Sequence, residues 1–110
     1  MRFVFTKAVH GKIYVISLTD LDIAEKIEQM PQGSVLVSES TQPHLVLACK
    51  KASAIVTNEG GVLSHAAIIA RELKVPCVVG TREATERFTN GDEILVDGDS
   101  GKVVLLKKAQ

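Results

Sequence analysis

The sequence has no excess of charge of either sign. Its 13 lysines and arginines balance its 13 aspartates and glutamates, and neither sign gathers into a block. Proteins that bind nucleic acid or anionic lipid usually carry a cluster of basic side chains on one surface. The balance therefore argues against nucleic acid as a partner and against attachment to a membrane surface.

Cysteines and long hydrophobic runs are also scarce. Cys49 and Cys77 stand alone, without CxxC spacing, which indicates a reduced compartment and two buried thiols rather than a disulfide framework. The apolar stretch near the N-terminus is too short for a signal peptide, and no segment is long enough to cross a bilayer. We therefore expect a soluble, cytoplasmic protein.

Motifs that bind nucleotides or metals are missing as well. Neither GxxxxGK[ST] nor GxGxxG occurs, so the chain has no recognisable nucleotide site. Asp97 and Asp99 lie in DGDSG, but the downstream glutamate of a calcium loop is absent, and we interpret both as turn residues. A catalytic role for Cys77 would need an activating neighbour that the sequence lacks. We expect no cofactor and no metal on this chain.

What the sequence does contain is enough chain for one domain, with strand and helix patterns that alternate. Its 110 residues fit a single compact domain, 1–110. The predicted strands are Phe3–Phe5, Ile13–Leu18, Val35–Val37, Ala54–Thr57, Cys77–Val79, Glu93–Val96 and Lys102–Leu106. The last two flank the turn Asp97–Gly101 as in a hairpin. The pattern predicts an α/β fold, a sheet with helices packed on it.

Helix signals separate these strands. Thr19 and Asp20 are candidate caps for a first helix that ends before Pro31. Its apolar face consists of Leu21, Ile23, Ala24 and Ile27. The other predicted helices are Pro43–Lys51, a helix from the N-cap Ser64 through Leu73, and Arg82–Arg87 with Thr81 as its cap.

The most informative segment is TNEGGVLSHAAII, which runs from Thr57 to Ile69. The glycine pair lets backbone N–H groups approach a ligand, and the helix start at Ser64 adds unpaired donors with a partial positive charge. Such a turn suits an anion, phosphate above all. A lone histidine in a helix is usually structural. The convergence of strand, glycines, hydroxyl and helix start favours a functional role for His65 without naming a reaction.

A reaction is named by resemblance. The segment EGGVLSHAAIIARELKVPCVVGT, Glu59–Thr81, closely resembles the mobile phosphohistidine domain of phosphoenolpyruvate-utilising enzymes. That family includes pyruvate phosphate dikinase, phosphoenolpyruvate synthase and enzyme I of the sugar phosphotransferase system. The likeness extends from about Gly33 through the DGDSG turn. It implies a swivelling β/β/α domain, with strands in two layers and helices on one side.

The resemblance also assigns site residues. It implies that His65 is the nucleophile that accepts a phosphoryl group and later donates it, and that Ser64, Gly60 and Gly61 line the phosphate pocket. The other ring nitrogen needs a partner to fix the tautomer. Thr57 and the Ser64 hydroxyl are candidates for that contact, although Thr57 could instead cap its strand.

Two more positions can be compared with the family. His44 stands where the family usually carries an acidic or hydroxyl residue that can lie near the catalytic histidine. It could hydrogen-bond to the imidazole, or it could be an exposed residue at a helix start. Arg71 matches the family's Ala-Arg pair, and a structural role is expected for it.

The resemblance implies that the chemistry needs other proteins. An ATP-grasp domain and a phosphoenolpyruvate-binding barrel flank this module in the large enzymes, and the present chain is too short to contain them. We expect a phosphotransferase component whose partners are nucleotide-binding (ATP-grasp) and phosphoenolpyruvate- or pyruvate-binding subunits, or an acceptor protein. Magnesium and ATP or phosphoenolpyruvate would be bound by those partners. Two alternatives stay open: a non-catalytic interaction or anion-binding module, and a fragment of a larger dikinase or synthase.

Overall fold

The computed structural model describes residues 2–3, 8–61, 63–98 and 100–109. Its strands are β1 Arg2–Phe3, β2 Ala8–Val15, β3 Val35–Ser38, β4 Ala54–Thr57, β5 Cys77–Val79, β6 Glu93–Asp97 and β7 Lys102–Lys107. Its helices are α1 Ile23–Gln29, a 3-10 turn Pro43–Leu45, α2 Val46–Lys51, α3 His65–Leu73 and α4 Ala84–Arg87. The α/β prediction is confirmed, and the predicted bounds of β4 and β5 match those observed.

The described strands form one sheet in the order β1-β5-β4-β3-β2-β6-β7. The strands β2, β3, β4 and β5 run parallel to one another, whereas β1, β6 and β7 pair antiparallel. The long strand β2 pairs with β6 through Ala8–Lys12 and with β3 through Ile13–Val15. This division lets the β6–β7 hairpin turn away from the parallel strands and form a second layer.

Apolar side chains cover both faces of the parallel strands. Successive strand residues point to opposite faces, so Leu36 and Ile55 join a cluster with α1, α2 and α3, while Val37 and Val56 join a second cluster with β6. The strands β3, β4 and β5 are therefore buried on both sides, which explains why their sequences are apolar up to the last residue of β3 and of β4. Helices, parallel sheet and hairpin make the layers of the expected β/β/α fold, with the short α4 on the hairpin side.

Several predicted boundaries are corrected. The predicted strand Ile13–Leu18 begins earlier and ends at Val15, because residues 8–12 pair with β6. Pro43–Lys51 divides into a 3-10 turn and α2. The prediction for Phe3–Phe5 is met at Phe3, and Phe5 lies outside the described residues.

The first helix starts later than its sequence suggested. It begins at Ile23, and Asp20 does not cap it; the Asp20 carboxylate accepts hydrogen bonds from the Ser17 N–H and from Lys26 Nζ instead. Leu21 is 104% exposed, so it does not belong to the apolar face. That face consists of the buried Ile27 and the partly buried Ile23.

The predicted cap of the last helix is also wrong. Helix α4 starts at Ala84, and Thr81 donates its hydroxyl to the Thr57 carbonyl at 2.9 Å. Arg82 has a φ of 75°, which is incompatible with a helix start at this residue. Nowhere in the described ranges is a helix long and apolar enough to span a bilayer.

Candidate functional site

Helix α3 begins at the candidate site in the way the sequence predicts. Ser64 is its N-cap in extended conformation, and the Ser64 hydroxyl accepts a hydrogen bond from the Ala67 N–H at 3.3 Å. His65 is therefore the first helical residue. The small residues Ala66 and Ala70 are buried in the core cluster beneath the helix, which keeps the helix start close to the end of β4.

The glycine pair makes the turn that leads into this helix. Gly60 has a φ of +117°, and a Cβ at Gly60 would lie 3.0 Å from the Ser64 hydroxyl oxygen. Any side chain here would push against the cap of α3. The Ser64 N–H donates to the Gly61 carbonyl at 3.0 Å, and a Cβ on Gly61 would meet nothing within 4 Å. The turn thus requires glycine at one position and leaves open space at the other.

The imidazole of His65 is half-buried and held on one side. Its Nδ1 lies 3.0 Å from the hydroxyl oxygen of Thr41, a residue that is 4% exposed. No hydrogen bond from the described residues reaches the Nε2 atom. When Nδ1 carries the proton and donates it to Thr41, Nε2 keeps its lone pair and can act as a nucleophile.

The hydroxyl beside the ring is that of Thr41, not that of Thr57 or Ser64. The buried Thr57 hydroxyl donates to the Glu59 carbonyl at 2.7 Å, which uses its single proton within the loop. The Ser64 hydroxyl accepts a hydrogen bond from the Ala67 N–H and not from the ring. Thr41 was not among the residues predicted for the site. Its position just after β3, next to β4 in the sheet, was the signal that could have found it.

The sequence also singled out His44, Arg71, Asp97 and Asp99. His44 lies in the 3-10 turn, but its side chain is outside the described residues, so its contact with His65 stays a prediction. Arg71 is exposed in the last turn of α3. Asp97 ends β6, and Asp99 is outside the described residues.

Both cysteines are core residues, as predicted. Burial raises the pKa of Cys49 to about 11 and that of Cys77 to about 12. The two thiols are therefore protonated at neutral pH and poor nucleophiles. Within the described part of the chain, no group of three or more His, Cys, Asp or Glu side chains could hold a metal ion.

Exposed apolar side chains flank the histidine. Leu63, two residues before His65, is 81% exposed, and Ile68, one turn further along α3, is 43% exposed. Ile68 lies on the same helix face as His65 because residues three apart are neighbours on a helix. The helix face that carries His65 thus also carries an exposed apolar side chain, Ile68.

The fold and the site together define a swivelling β/β/α domain that presents a histidine at a helix start. A crystal structure of Thermococcus kodakaraensis aconitase X matches with a TM-score of 0.70 and 23% identity, covering 96% of this chain and 95% of that chain. That likeness concerns the fold alone. A solution structure of an enzyme I protein matches with a TM-score of 0.63 and 31% identity, over 72% of this chain and 33% of that chain.

The family follows from the sequence comparison. Residues 30–101 match the model of the mobile domain of PEP-utilising enzymes, and the chain belongs to that family, whose domain carries the phosphohistidine. A probable phosphoenolpyruvate synthase of Pyrococcus horikoshii is 52% identical over 80 residues, which are 73% of this chain and 10% of that protein. The chain spans about a tenth of the length of the curated relatives it matches.

Proposed function

We propose that the protein is a phosphoryl carrier in which His65 accepts a phosphoryl group at one partner active site and donates it at another. The observation that carries the proposal is the state of the imidazole: its Nδ1 is engaged by Thr41 at 3.0 Å, at the first residue of a helix that follows a glycine turn. Membership of the mobile-domain family supports the same role.

The chemistry assigned to His65 is a nucleophilic displacement. In the tautomer whose Nδ1–H donates a hydrogen bond to the Thr41 hydroxyl, the lone pair on Nε2 attacks the phosphorus of ATP or phosphoenolpyruvate. An N–P bond forms while a P–O bond of the donor breaks, and the leaving oxygen departs with its electron pair. The return transfer to an acceptor oxygen reverses these two bond changes.

The start of α3 would stabilise the charge that the ring then carries. The first backbone N–H groups of a helix have no partner within the helix, and the helix dipole adds a partial positive charge at the same end. Only the Ala67 N–H is used by the Ser64 cap. The stabilisation of a nearby anion is about 0.3 to 1 kcal/mol when exposed, small enough that the phosphoryl group is not trapped.

The donor, the acceptor and the magnesium would belong to partners. The chain has no nucleotide-binding motif, and the relatives are about ten times longer than the matched segment. We therefore expect a nucleotide-binding (ATP-grasp) subunit and a phosphoenolpyruvate- or pyruvate-binding subunit, or an acceptor protein, in the same compartment, the cytoplasm. Leu63 and Ile68 would be covered when such a partner closes over His65 and excludes water.

The test is transfer of labelled phosphate from ATP or phosphoenolpyruvate to the chain in the presence of a nucleotide-binding (ATP-grasp) or phosphoenolpyruvate-binding partner protein. Wild type should take up label that is lost in acid and retained in alkali, and His65→Ala should take up none. His10→Ala is the matched control, since His10 is exposed on β2, and it should be labelled like wild type. Label on His65→Ala would refute the assignment, and an unlabelled wild type would favour a non-catalytic anion-binding module.

A further inference from the structure

Glu39 connects three loops at the edge of the sheet that carries the candidate site. The strands β2, β3 and β4 are parallel neighbours, so their carboxyl ends lie at the same edge. Glu39 directly follows β3. Its carboxylate oxygens accept hydrogen bonds from the Ser17 hydroxyl at 2.6 Å and the Leu18 N–H at 2.8 Å, after β2. Its backbone carbonyl accepts the Glu59 N–H at 2.9 Å, after β4.

These contacts distinguish Glu39 from an ordinary surface acid. It is half-buried, and both carboxylate oxygens have partners. Burial by itself raises the pKa of Glu39, but the hydrogen bonds from Ser17 and Leu18 outweigh it, and the pKa is lowered overall despite repulsion from Asp20. The carboxylate is therefore held in its ionised, acceptor-only form, in which each oxygen can serve one of the two donors.

Thr41 depends on this loop for its position. It lies two residues after Glu39, outside any helix or strand. The Ser38 hydroxyl donates to the Ser40 carbonyl at 3.1 Å, which adds a second tie to the same short segment. The hydroxyl that lies 3.0 Å from His65 Nδ1 is thus placed by side-chain hydrogen bonds rather than by regular secondary structure.

We infer that Glu39 is a positioning residue for His65. Its carboxylate holds the 39–41 loop against the segment after β2, and through Thr41 it fixes the orientation of the imidazole. The structural part of this inference concerns the ring alone. Its consequence for phosphoryl transfer rests on the proposed function.

The structural part is tested on the isolated chain by NMR of the His65 ring nitrogens. Thr41→Val should shift the ring signals away from those of wild type, because it removes the Nδ1 partner. Glu39→Gln should shift them in the same direction, because an amide accepts with only one of its two terminal atoms and loses one donor. The double variant should match Thr41→Val, since the coupling runs through Thr41.

Glu59→Gln is the matched control. Glu59 follows the neighbouring strand β4, but its side chain is exposed and has no hydrogen bond among the described residues. The His65 ring signals of Glu59→Gln should therefore superimpose on those of wild type. Superposition of the Glu39→Gln spectrum on wild type, with Thr41→Val shifted, would overturn the inference. If Glu39→Gln does not fold, Ser17→Ala takes its place, because it removes one of the two donors to the Glu39 carboxylate. Shifted ring signals would then support the inference, and signals that superimpose on wild type would overturn it.

The kinetic part uses the labelled-phosphate assay with partner proteins. Glu39→Gln should lower the rate of His65 phosphorylation about tenfold, because a poorly oriented nucleophile loses the benefit of positioning, while the concentration of partner needed for half-maximal rate stays unchanged. An unaltered rate would contradict this part. A wild type that takes no phosphate would refute the proposed function but leave the NMR result to decide on Glu39.

Discussion

Helices α1 and α3 pack against the same face of the parallel sheet and are stabilised by different kinds of contact. At α3 the cap comes from Ser64, the residue immediately before the helix. Its hydroxyl accepts a hydrogen bond from the Ala67 N–H, and a glycine turn leads into the helix. At α1 the residue at the N-cap, Asp22, makes no side-chain cap bond. There the stabilising contact comes from another helix, because Lys51 donates to three carbonyls at the end of α1.

Only the start of α3 can be predicted from local sequence. A cap supplied within three residues leaves a signature in the sequence, and α3 starts where that signature predicts. A cap supplied from 24 residues away leaves none. The helix with the locally encoded start is also the helix that presents the candidate nucleophile. Local sequence therefore places His65 at the helix start, whereas the orientation of its ring depends on the distant Thr41.

The largest expected effect tests the turn before α3. Gly60→Ala should lower the free energy of unfolding by about 1 to 3 kcal/mol, because alanine is strained at a positive φ and its Cβ would crowd the Ser64 hydroxyl. Urea unfolding measures the change. Gly61→Ala is the control, with open space around its Cβ, and should stay within about 0.5 kcal/mol of wild type. Equal losses would show that the turn makes no special demand on Gly60.

The next effect tests the remote cap of α1. Lys51→Met keeps the aliphatic length but removes the ammonium group that bonds Ile27, Glu28 and Met30 carbonyls at 2.7 to 3.2 Å. We expect a loss of about 1 to 2 kcal/mol in urea unfolding. Lys50→Met, an exposed neighbour on α2, should change little. A Lys51 variant as stable as the Lys50 variant would mean that α1 does not need this cap.

A smaller effect compares the two N-caps directly. Ser64→Ala should cost about 1 kcal/mol because the Ala67 N–H loses its acceptor. Asp22→Ala should be close to neutral, since the Asp22 side chain makes no cap bond. The thermal unfolding midpoints of the two variants, each compared with that of wild type, measure these losses. Similar losses of stability in both variants would show that the Ser64 side chain stabilises α3 no more than the Asp22 side chain stabilises α1.

The smallest expected effect is the contribution of Asp20, which lies just before α1, to the pH dependence of stability. The hydrogen bond from Lys26, at 2.7 Å, lowers the pKa of Asp20. A carboxyl with a lowered folded-state pKa contributes stability above its unfolded value, near 4, and loses it as the pH falls through the lower folded value. Between pH 6 and 3 the unfolding midpoint of Asp20→Asn should fall less steeply than that of wild type. Asp22→Asn is the control and should follow wild type.

Much of the fold was predictable because its signals are local. The runs that became β4 and β5 are buried on both faces, so they are apolar at every position except Thr57 at the end of β4. The hairpin of β6 and β7 was also predicted, since its strands flank a glycine-containing turn. The first helix was placed too early because Leu21 looked like a core residue, and only packing decides that it is exposed.

The candidate site was predicted in part for the same reason. His65, Ser64 and the glycine turn lie within six residues of one another, and the structure places Ser64 and the turn as expected. The partner of the imidazole was missed, because Thr41 lies 24 residues away and is in a segment without helix or strand. Its contact depends on the loops after β3 and β4 lying side by side.

Local sequence is sufficient to predict the strand-turn-helix unit around His65, the alternation of strands and helices, and the family to which these residues point. Each of these depends on interactions within about one helical turn or on the apolar content of a single strand. Tertiary structure alone decided that Thr41 holds the ring, that Lys51 caps α1 and that β2 divides its pairing between two layers. Those contacts join residues that are distant along the chain, and they form only after the sheet order has brought their loops to one edge.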